Sequence, residues 1–385
     1  MKKIINNFLT LFCLVGVFVT FPAYSQALGD KSNEKIGKEI IFGQSGGFSG
    51  DTKSVSESIS LGAQAYFNYV NKNGGVHGRT LKIVTRDDAY KADKAKENTF
   101  RFIKDDNVFA LFGYTTIATS RSAIPFVTEY KVPFLAAFTG NGALRNPFNR
   151  QIVHFRASHN AELSSIVEHL SSFETKKIAF SYYADSTANL KDMQEVMKNY
   201  PNIKLSIISM ERNESDLDRM TSTIVRENPD ALVMVMVAQS VKKVSESLKK
   251  KGFNAPVYIT SFAGTNSVIN AMGETAYGIV ISQVVPAPYN RSIQIVQEYQ
   301  SIFKASYPNN EYTYESLESF IAARIIVEAL KRAGPDLTRE KFLQSIDNLN
   351  ELDFGGYIIT YDKQNREGSN WVELTMVGKN KKIIY

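Results

Sequence analysis

The amino-acid sequence predicts an α/β fold built as two doubly wound lobes, and three observations carry that prediction. Short apolar runs, "EIIFG", "LKIVT", "VFALFGY" and "VPFLAAF", alternate with helical segments up to Phe138. A second series with the same rhythm follows Arg150: "QIVHFRA", "KKIAFSYY", "IKLSIISM", "ALVMVMV", "PVYITSF" and "GIVISQVV". Runs of this length, apolar on both faces, suit parallel strands buried between helices. Thirdly, "FNYVNKNGGVHGRTLKIVTRDDAY" reads as one complete helix-turn-strand unit.

Taken in chain order, the first segment is expected to leave the protein. "MKKIINNFLTLFCLVGVFVTFPAYSQA" opens on two lysines, continues as an apolar run and ends in small residues. Residues 1–25 therefore read as a secretory signal cleaved near Ser25 or Ala27. A membrane anchor fits less well, because Asn6 and Asn7 interrupt the run and its end resembles a cleavage site. Cys13, the single cysteine, would depart with the signal, and "LTLFC" lacks the small residue expected before a lipidated cysteine. The remaining chain, soluble and without thiols, must draw its stability from its cores. Loss of Lys2 and Lys3 takes the formal charge from +6 to +4, with basic residues scattered among acids as in "KADKAKENTFRFIKDD". That mixture fits a solvated helix face and argues against a nucleic-acid surface.

Ile59, Ala63, Tyr66 and Val70 share one helix face, and Asn73-Gly74-Gly75 stops that helix with residues tolerant of positive φ. "HGR" makes a turn, "LKIVTR" a strand, and Asp87-Asp88 falls at the strand's carboxyl end, where open α/β sheets place function. Near the C-terminus a long helix stacks Leu317, Ile321 and Ile325, with Glu328 nearby, before Gly334-Pro335 ends it. "GGYIITYD" and "WVELTMV" then read as a final strand pair. No low-complexity linker or short repeat separates the two series, which fits lobes that exchange segments.

The sharpest enzymatic motif is "GQSGG", where Gly43, Ser45 and Gly47 match a nucleophile elbow. The elbow requires an immediate helix, whereas a polar loop, "GGFSGDTKSVS", follows Ser45. The histidines are His77, His154, His159 and His169, which leaves none for a triad in the last 216 residues. A serine hydrolase is thus a distant reading, and Ser45 is expected to contribute a hydrogen bond. His154 and His159 lack the spacing of a helical zinc pair, and no Walker or dinucleotide motif is present, so neither metal nor cofactor is expected. The acids Asp87 and Asp88 read as a capped strand end rather than a cation site. Binding has a better constellation. "GYTTIATS" and "AAFTGNGAL" each follow an apolar strand, bringing Tyr114, Thr115, Thr116, Phe138, Thr139 and Gly140 to strand ends where hydroxyls and free helix N–H groups can meet a small amphiphilic ligand.

This succession resembles the type I periplasmic binding proteins, in particular the leucine/isoleucine/valine-binding receptors of ABC transporters. The resemblance rests on "SGGFSG", "GAQAYFNYVNKNGGVHGR", "DDAY", "VFALFGYTT", "VPFLAAFTG", "FRAS" and "SQVVP" in the family's order, over nearly all of residues 38–380. It implies two Rossmann-like lobes joined by three crossovers, closing on a solute by hinge motion in the periplasm, and a transporter permease as partner. The division expected is residues 36–155 with 286–350 in one lobe and 156–285 with 351–385 in the other. The same lobes would serve a sensory binding protein docking on a membrane receptor, which is the alternative function.

By position, the resemblance puts Tyr114 to Ile117 and Phe138 to Gly140 around the ligand's charged head. This chain departs from the family at three further points. Thr187-Ala188 stands where relatives carry a stacking Tyr-Gly, Ala238 stands where a tyrosine is common, and Phe262 falls where amino-acid receptors place an acid. The expected ligand therefore has a carboxylate or carbonyl head and an apolar body against Phe138, Tyr183 and Phe262, with Ser45 and Gln283 also at the site. Leucine, isoleucine and valine should bind weakly, because an ammonium without a counter-charge is costly to bury. Glu318 or Asp185 would supply that charge only if the alignment shifts by a turn.

Overall fold

The computed structural model describes residues 37–50, 52–211 and 216–384. The expected signal and Cys13 lie outside these residues. The first sheet is built from β1 (Glu39–Gly46), β2 (Thr80–Asp87), β3 (Ala110–Phe112), β4 (Phe134–Leu135) and β5 (Ile152–Val153), with α1 (Lys53–Lys72), α2 (Ala92–Lys104) and α3 (Ile117–Glu129) between them. All its strands are parallel, in the order β2-β1-β3-β4-β5. The chain reverses direction across the sheet at β1, so the crevice between the carboxyl ends of β1 and β3 is where such a sheet offers a binding site.

The glycine turn after α1 works as the residue types require. Gly74, Gly75 and Gly78 all take positive φ, and a Cβ on Gly75 would lie 2.1 Å from the carbonyl oxygen of Arg79. Only glycine lets the chain fold back so closely into β2.

The second sheet follows α4 (His159–Ser171). It comprises β6 (Lys177–Tyr183), β7 (Lys204–Met210), β8 (Ala231–Val235), β9 (Val257–Ile259) and β10 (Val280–Gln283), connected by α5 (Thr187–Met197), α6 (Leu217–Glu227), α7 (Ala238–Lys250) and α8 (Thr265–Met272). The chain then returns to the first lobe as α9 (Gln294–Ser306), α10 (Tyr314–Ala333) and α11 (Arg339–Ile346). α10 is buried on nearly every side and crosses α1 at Gly62, where a Cβ would come within 2.0 Å of the Ser316 carbonyl oxygen.

Two expectations are corrected. "QIVHFRA" does not start the second sheet, because Ile152 and Val153 pair in parallel with Phe134 and Leu135 as the last strand of the first. "GGYIITYD" and "WVELTMV" do not pair with each other. The former is half of a hairpin, β11 (Leu352–Asp353) with β12 (Ile358–Ile359), turned by Gly355 and Gly356 at φ +80° and +99°. The latter is β13 (Glu373–Val377), antiparallel to β10 and followed by β14 (Ile383–Ile384) at the edge of the second sheet. Burial explains the difference: Phe354, Tyr357, Ile359 and Tyr361 all pack into the first core. The stretch from Leu352 to Tyr361, expected with the second lobe, accordingly sits on the first, and the third passage of the chain between lobes runs between Tyr361 and β13.

Candidate functional site

The carboxyl ends of the two sheets meet across the crossovers. The Asn141 side-chain amide donates to Asn189 Oδ1 of α5 at 2.6 Å, and Asn189 Oδ1 also lies 3.0 Å from His159 Nδ1. The Gly142 N–H donates to Asp192 at 3.4 Å. Gly140 allows this approach, since its carbonyl accepts from the His159 N–H at 2.7 Å and a Cβ there would lie 2.5 Å from that nitrogen. Along the seam, a groove of about 640 Å³ opens between α3 and α5, with Arg121, Asn141, Asp185, Lys191 and Asp192 in its walls. A second of about 340 Å³ lies between α1 and the α7–α8 side.

At the centre stands Arg156, from the first crossover, only 1% exposed. Its guanidinium lies 4.5 Å over the ring of Phe138, and Nη2 donates to Ser261 Oγ of the second lobe. It reaches Glu162 of α4 at 3.8 Å and Glu318 of α10 at 3.6 Å, while Nε and Nη1 donate no hydrogen bond among the described residues. Glu162 Oε2 accepts from the Ser261 N–H at 2.8 Å and from Ser282 Oγ at 2.6 Å. Glu315, in the first turn of α10, comes close to the start of α8, where a Cβ on Gly264 would lie 3.0 Å from its Oε1, so a first-lobe carboxylate approaches a second-lobe helix N-terminus.

Burial sets the electrostatics here. It pushes the Glu318 carboxyl up to about 7 against the opposing pull of Arg156, with Glu162 and Glu315 adding to the rise. Burial raises Glu315 as well. For His159 burial works in the other sense, lowering the imidazole to about 4 despite Glu162, so it is neutral near pH 7.

The residues singled out in the sequence fall into two groups. Phe138 lies at the centre under Arg156 with its N–H donating to the Tyr114 carbonyl at 2.7 Å, and the next residue after Tyr114, Thr115, is buried with Oγ1 unpartnered among the described residues. Phe262 is half-buried, packed edge to face with His159 at 6.1 Å between ring centroids. The others are engaged within the lobes. Thr116 Oγ1 caps α3 by accepting from the Thr119 N–H at 3.2 Å, and Thr139 Oγ1 accepts from the Asn141 N–H at 3.3 Å. The Tyr183 hydroxyl donates to Ser240 at 2.7 Å. Gln283 donates to Thr265 and Thr375, each at 2.9 Å.

Ser45 donates to Asp88 at 2.8 Å and accepts from Asn98 at 3.1 Å, so its partners are a carboxylate and an amide, with no histidine base. Asp88 in turn accepts from the Tyr90 N–H, and Asp87 from Ser49 and the Ala89 N–H, as a capped strand end should. Tyr114 is fully buried. It lies in the core between β4 and α2, edge-on to Phe134 at 5.0 Å, with its hydroxyl 2.8 Å from Thr99. Simple alternation after Phe112 would aim it at the opposite face, but Gly113 takes φ +63° and reverses the side on which Tyr114 emerges.

The sequence offered Glu318 for a ligand ammonium only on a shifted alignment and did not point to Glu162 or Glu315, whereas the structure buries all three between the lobes. Gln44 was also missed; among the described residues both polar atoms of its buried amide are unpartnered, as is the Thr260 hydroxyl. A usable signal existed. Arg156 interrupts an apolar run, and Glu162 lies on the buried face of α4 with Leu163 and Ile166.

Comparison with known proteins agrees with this architecture. The family model described as periplasmic binding protein matches residues 39–382. A possible leucine/isoleucine/valine-binding protein from Rhodopirellula baltica superposes with TM-score 0.85 at 24% identity, covering 93% of this chain and 98% of its own. The leucine-binding protein LivK of Thermotoga maritima gives 0.80 at 17%, covering 90% and 97%. A fatty acid ABC transporter substrate-binding protein from Thermomonospora curvata gives 0.81 at 17%, covering 92% and 93%. No curated protein matches the chain. Two parallel-rich lobes, three passages of chain between them and a family match over almost the whole described length place the chain in the periplasmic binding protein family, with the type I fold.

Proposed function

We propose that the protein is the periplasmic receptor of an ABC importer, which takes a small amino-acid-like solute between its lobes and closes on it by hinge motion. The observation that carries this reading is the concentration, at the strand ends and between the lobes, of buried polar atoms with no hydrogen-bond partner among the described residues: the Gln44 amide, Thr115 and Thr260 hydroxyls, Arg156 Nε and Nη1, Glu162 Oε1, Glu315 Oε2 and His159 Nε2. Each such group costs about 1–3 kcal/mol when left unmade, and a polar solute can satisfy several at once. The TM-scores with a leucine-binding protein and with a fatty acid ABC transporter substrate-binding protein support the architecture of such a receptor and leave the choice of solute to the site.

A thermal-shift screen across amino acids, amines, carboxylic acids and amides tests solute binding, since a solute at 100 times its Kd should stabilise the fold by about 2.7 kcal/mol. Small-angle scattering on any hit then tests the hinge. A smaller radius of gyration at saturation is expected, and identical curves would refute closure. Solute-dependent retention on membranes carrying the permease tests the importer role.

A further inference from the structure

One hydrogen bond between the lobes has its polarity fixed at both ends. Asn141 belongs to the first lobe: it follows β4, and Leu144, three residues on, packs in the same core as Phe134 and Ile152. Asn189 belongs to the second, since α5 buries Met193 and Val196 in one core with Leu163 of α4 and Phe180 of β6. Asn141 Oδ1 accepts from the Ala143 N–H at 3.0 Å, and a backbone N–H can only donate. That commits the Asn141 amide nitrogen to the other side, where it donates to Asn189 Oδ1 at 2.6 Å. His159 Nδ1 lies 3.0 Å from the same carbonyl oxygen and must carry its proton there. Asn189 Oδ1 thus accepts one bond from within its own lobe and one from the opposite lobe.

All three side chains are shielded from water, with Asn141, Asn189 and His159 only 1%, 4% and 2% exposed. Asn141 also contributes to the wall of the groove between α3 and α5, so the bond lies where that groove narrows to contact. Beside it the Gly142 N–H donates to Asp192 at 3.4 Å, and a Cβ on Gly142 would come within 2.8 Å of Asp192 Oδ1. The lobes therefore touch here with no room for a further side chain. Moving α5 away from this segment breaks the Asn141 and Gly142 bonds and leaves the His159–Asn189 bond intact inside the second lobe, so the acceptor stays aimed.

Resting on the hinge-closing receptor reading above, we propose that Asn141 and Asn189 are a latch: a pair of positioning residues that holds the lobes closed through their bond to each other, with His159 presetting the acceptor. One buried neutral bond of this kind shifts the ratio of closed to open molecules by about two- to tenfold. The affinity for a solute that requires the closed form scales with that closed fraction, so the latch tunes binding from outside the solute's own contacts.

Small-angle scattering of the dialysed protein at pH 8, with no solute added, tests the latch. Asn189→Asp keeps an acceptor for both the Asn141 amide and His159, so its radius of gyration should equal that of wild type. Combining it with Asn141→Asp sets two carboxylates against each other, which should shift the ratio toward open molecules by about a hundredfold or more and enlarge the radius of gyration. The second substitution retains an oxygen for the Ala143 N–H, and a cooperative thermal melt separates opening from unfolding. Gly142→Trp acts independently, as a wedge against Asp192 that forces the lobes apart wherever a hinge exists. A double variant as compact as wild type beside an expanded Gly142→Trp would overturn the latch and keep the hinge. If neither expands, the hinge reading itself fails. Expansion of Asn189→Asp alone, or expansion of the double variant with loss of its cooperative melt, would also count against the latch, because the pair would then be supporting the fold and not the angle between lobes.

Discussion

Replacing Glu318 with glutamine should stabilise the protein, by an amount that grows as pH rises above about 4.5 and is complete near pH 8. The carboxyl is pushed up to about 7 by burial, with Arg156 already 3.6 Å away, so desolvation outweighs the attraction of its partner. The sign follows from proton counting. Between the ordinary carboxyl value of 4.5 and about 7 the folded state holds a proton that the unfolded state has released, so stability falls as pH rises through that window. The full effect, reached near pH 8, is about 3 kcal/mol at about 1.4 kcal/mol per tenfold. Glutamine copies the protonated form and escapes this loss. Urea denaturation should therefore find wild type and variant equal near pH 4 and the variant more stable by up to about 3 kcal/mol near pH 8. The opposite expectation is equally definite: if the Arg156–Glu318 pair held the site together, removing one charge would cost about 3–5 kcal/mol. A destabilised variant at pH 8 would refute the reasoning.

His159 should titrate near 4 by NMR, and its neutral form contributes stability that is complete above pH 6.5 and lost as pH falls toward 4. A midpoint near 6.5 would contradict its burial. Gly62→Ala should cost about 1–3 kcal/mol or prevent folding, measured by thermal melting, because the added methyl meets the Ser316 carbonyl oxygen at the α1–α10 crossing. Tyr114→Phe should lower stability by about 1 kcal/mol through its lost bond to Thr99 while leaving the affinity for any screened solute unchanged, which checks that this tyrosine belongs to the core.

The architecture was legible in the sequence because strand-length apolar runs and glycine turns are local signals: Gly74-Gly75 announces the end of α1 without reference to anything distant. The strands that were misassigned, at Ile152 and Ile358, are two residues long, and which sheet they join depends on partners far along the chain. The site was less legible for a related reason. Hydroxyls at strand ends look available in sequence, yet Ser45, Thr139 and Gln283 are consumed by Asp88, Asn141, Thr265 and Thr375. The acids that matter, Glu162 and Glu318, look like the polar side of amphipathic helices until the opposing lobe covers them. A single positive φ at Gly113 moved Tyr114 from the expected site into the core.

The interleaving of the two lobes bears on the order in which the chain can become stable. Arg339 closes on the Val108 and Phe109 carbonyls across more than 200 residues, and Tyr361 bonds the His154 carbonyl across 207. β13 and β14 complete the second sheet from the last residues described. Neither lobe is thus a consecutive stretch, and a chain that ends before α11 lacks part of both. Folding must wait for these long closures, which makes it slow for its size and nearly all-or-none with respect to the C-terminus. A truncation before β13 should yield a protease-sensitive product in which the first lobe, although its own residues are all present, has lost the neighbour that covers Glu315 and Glu318.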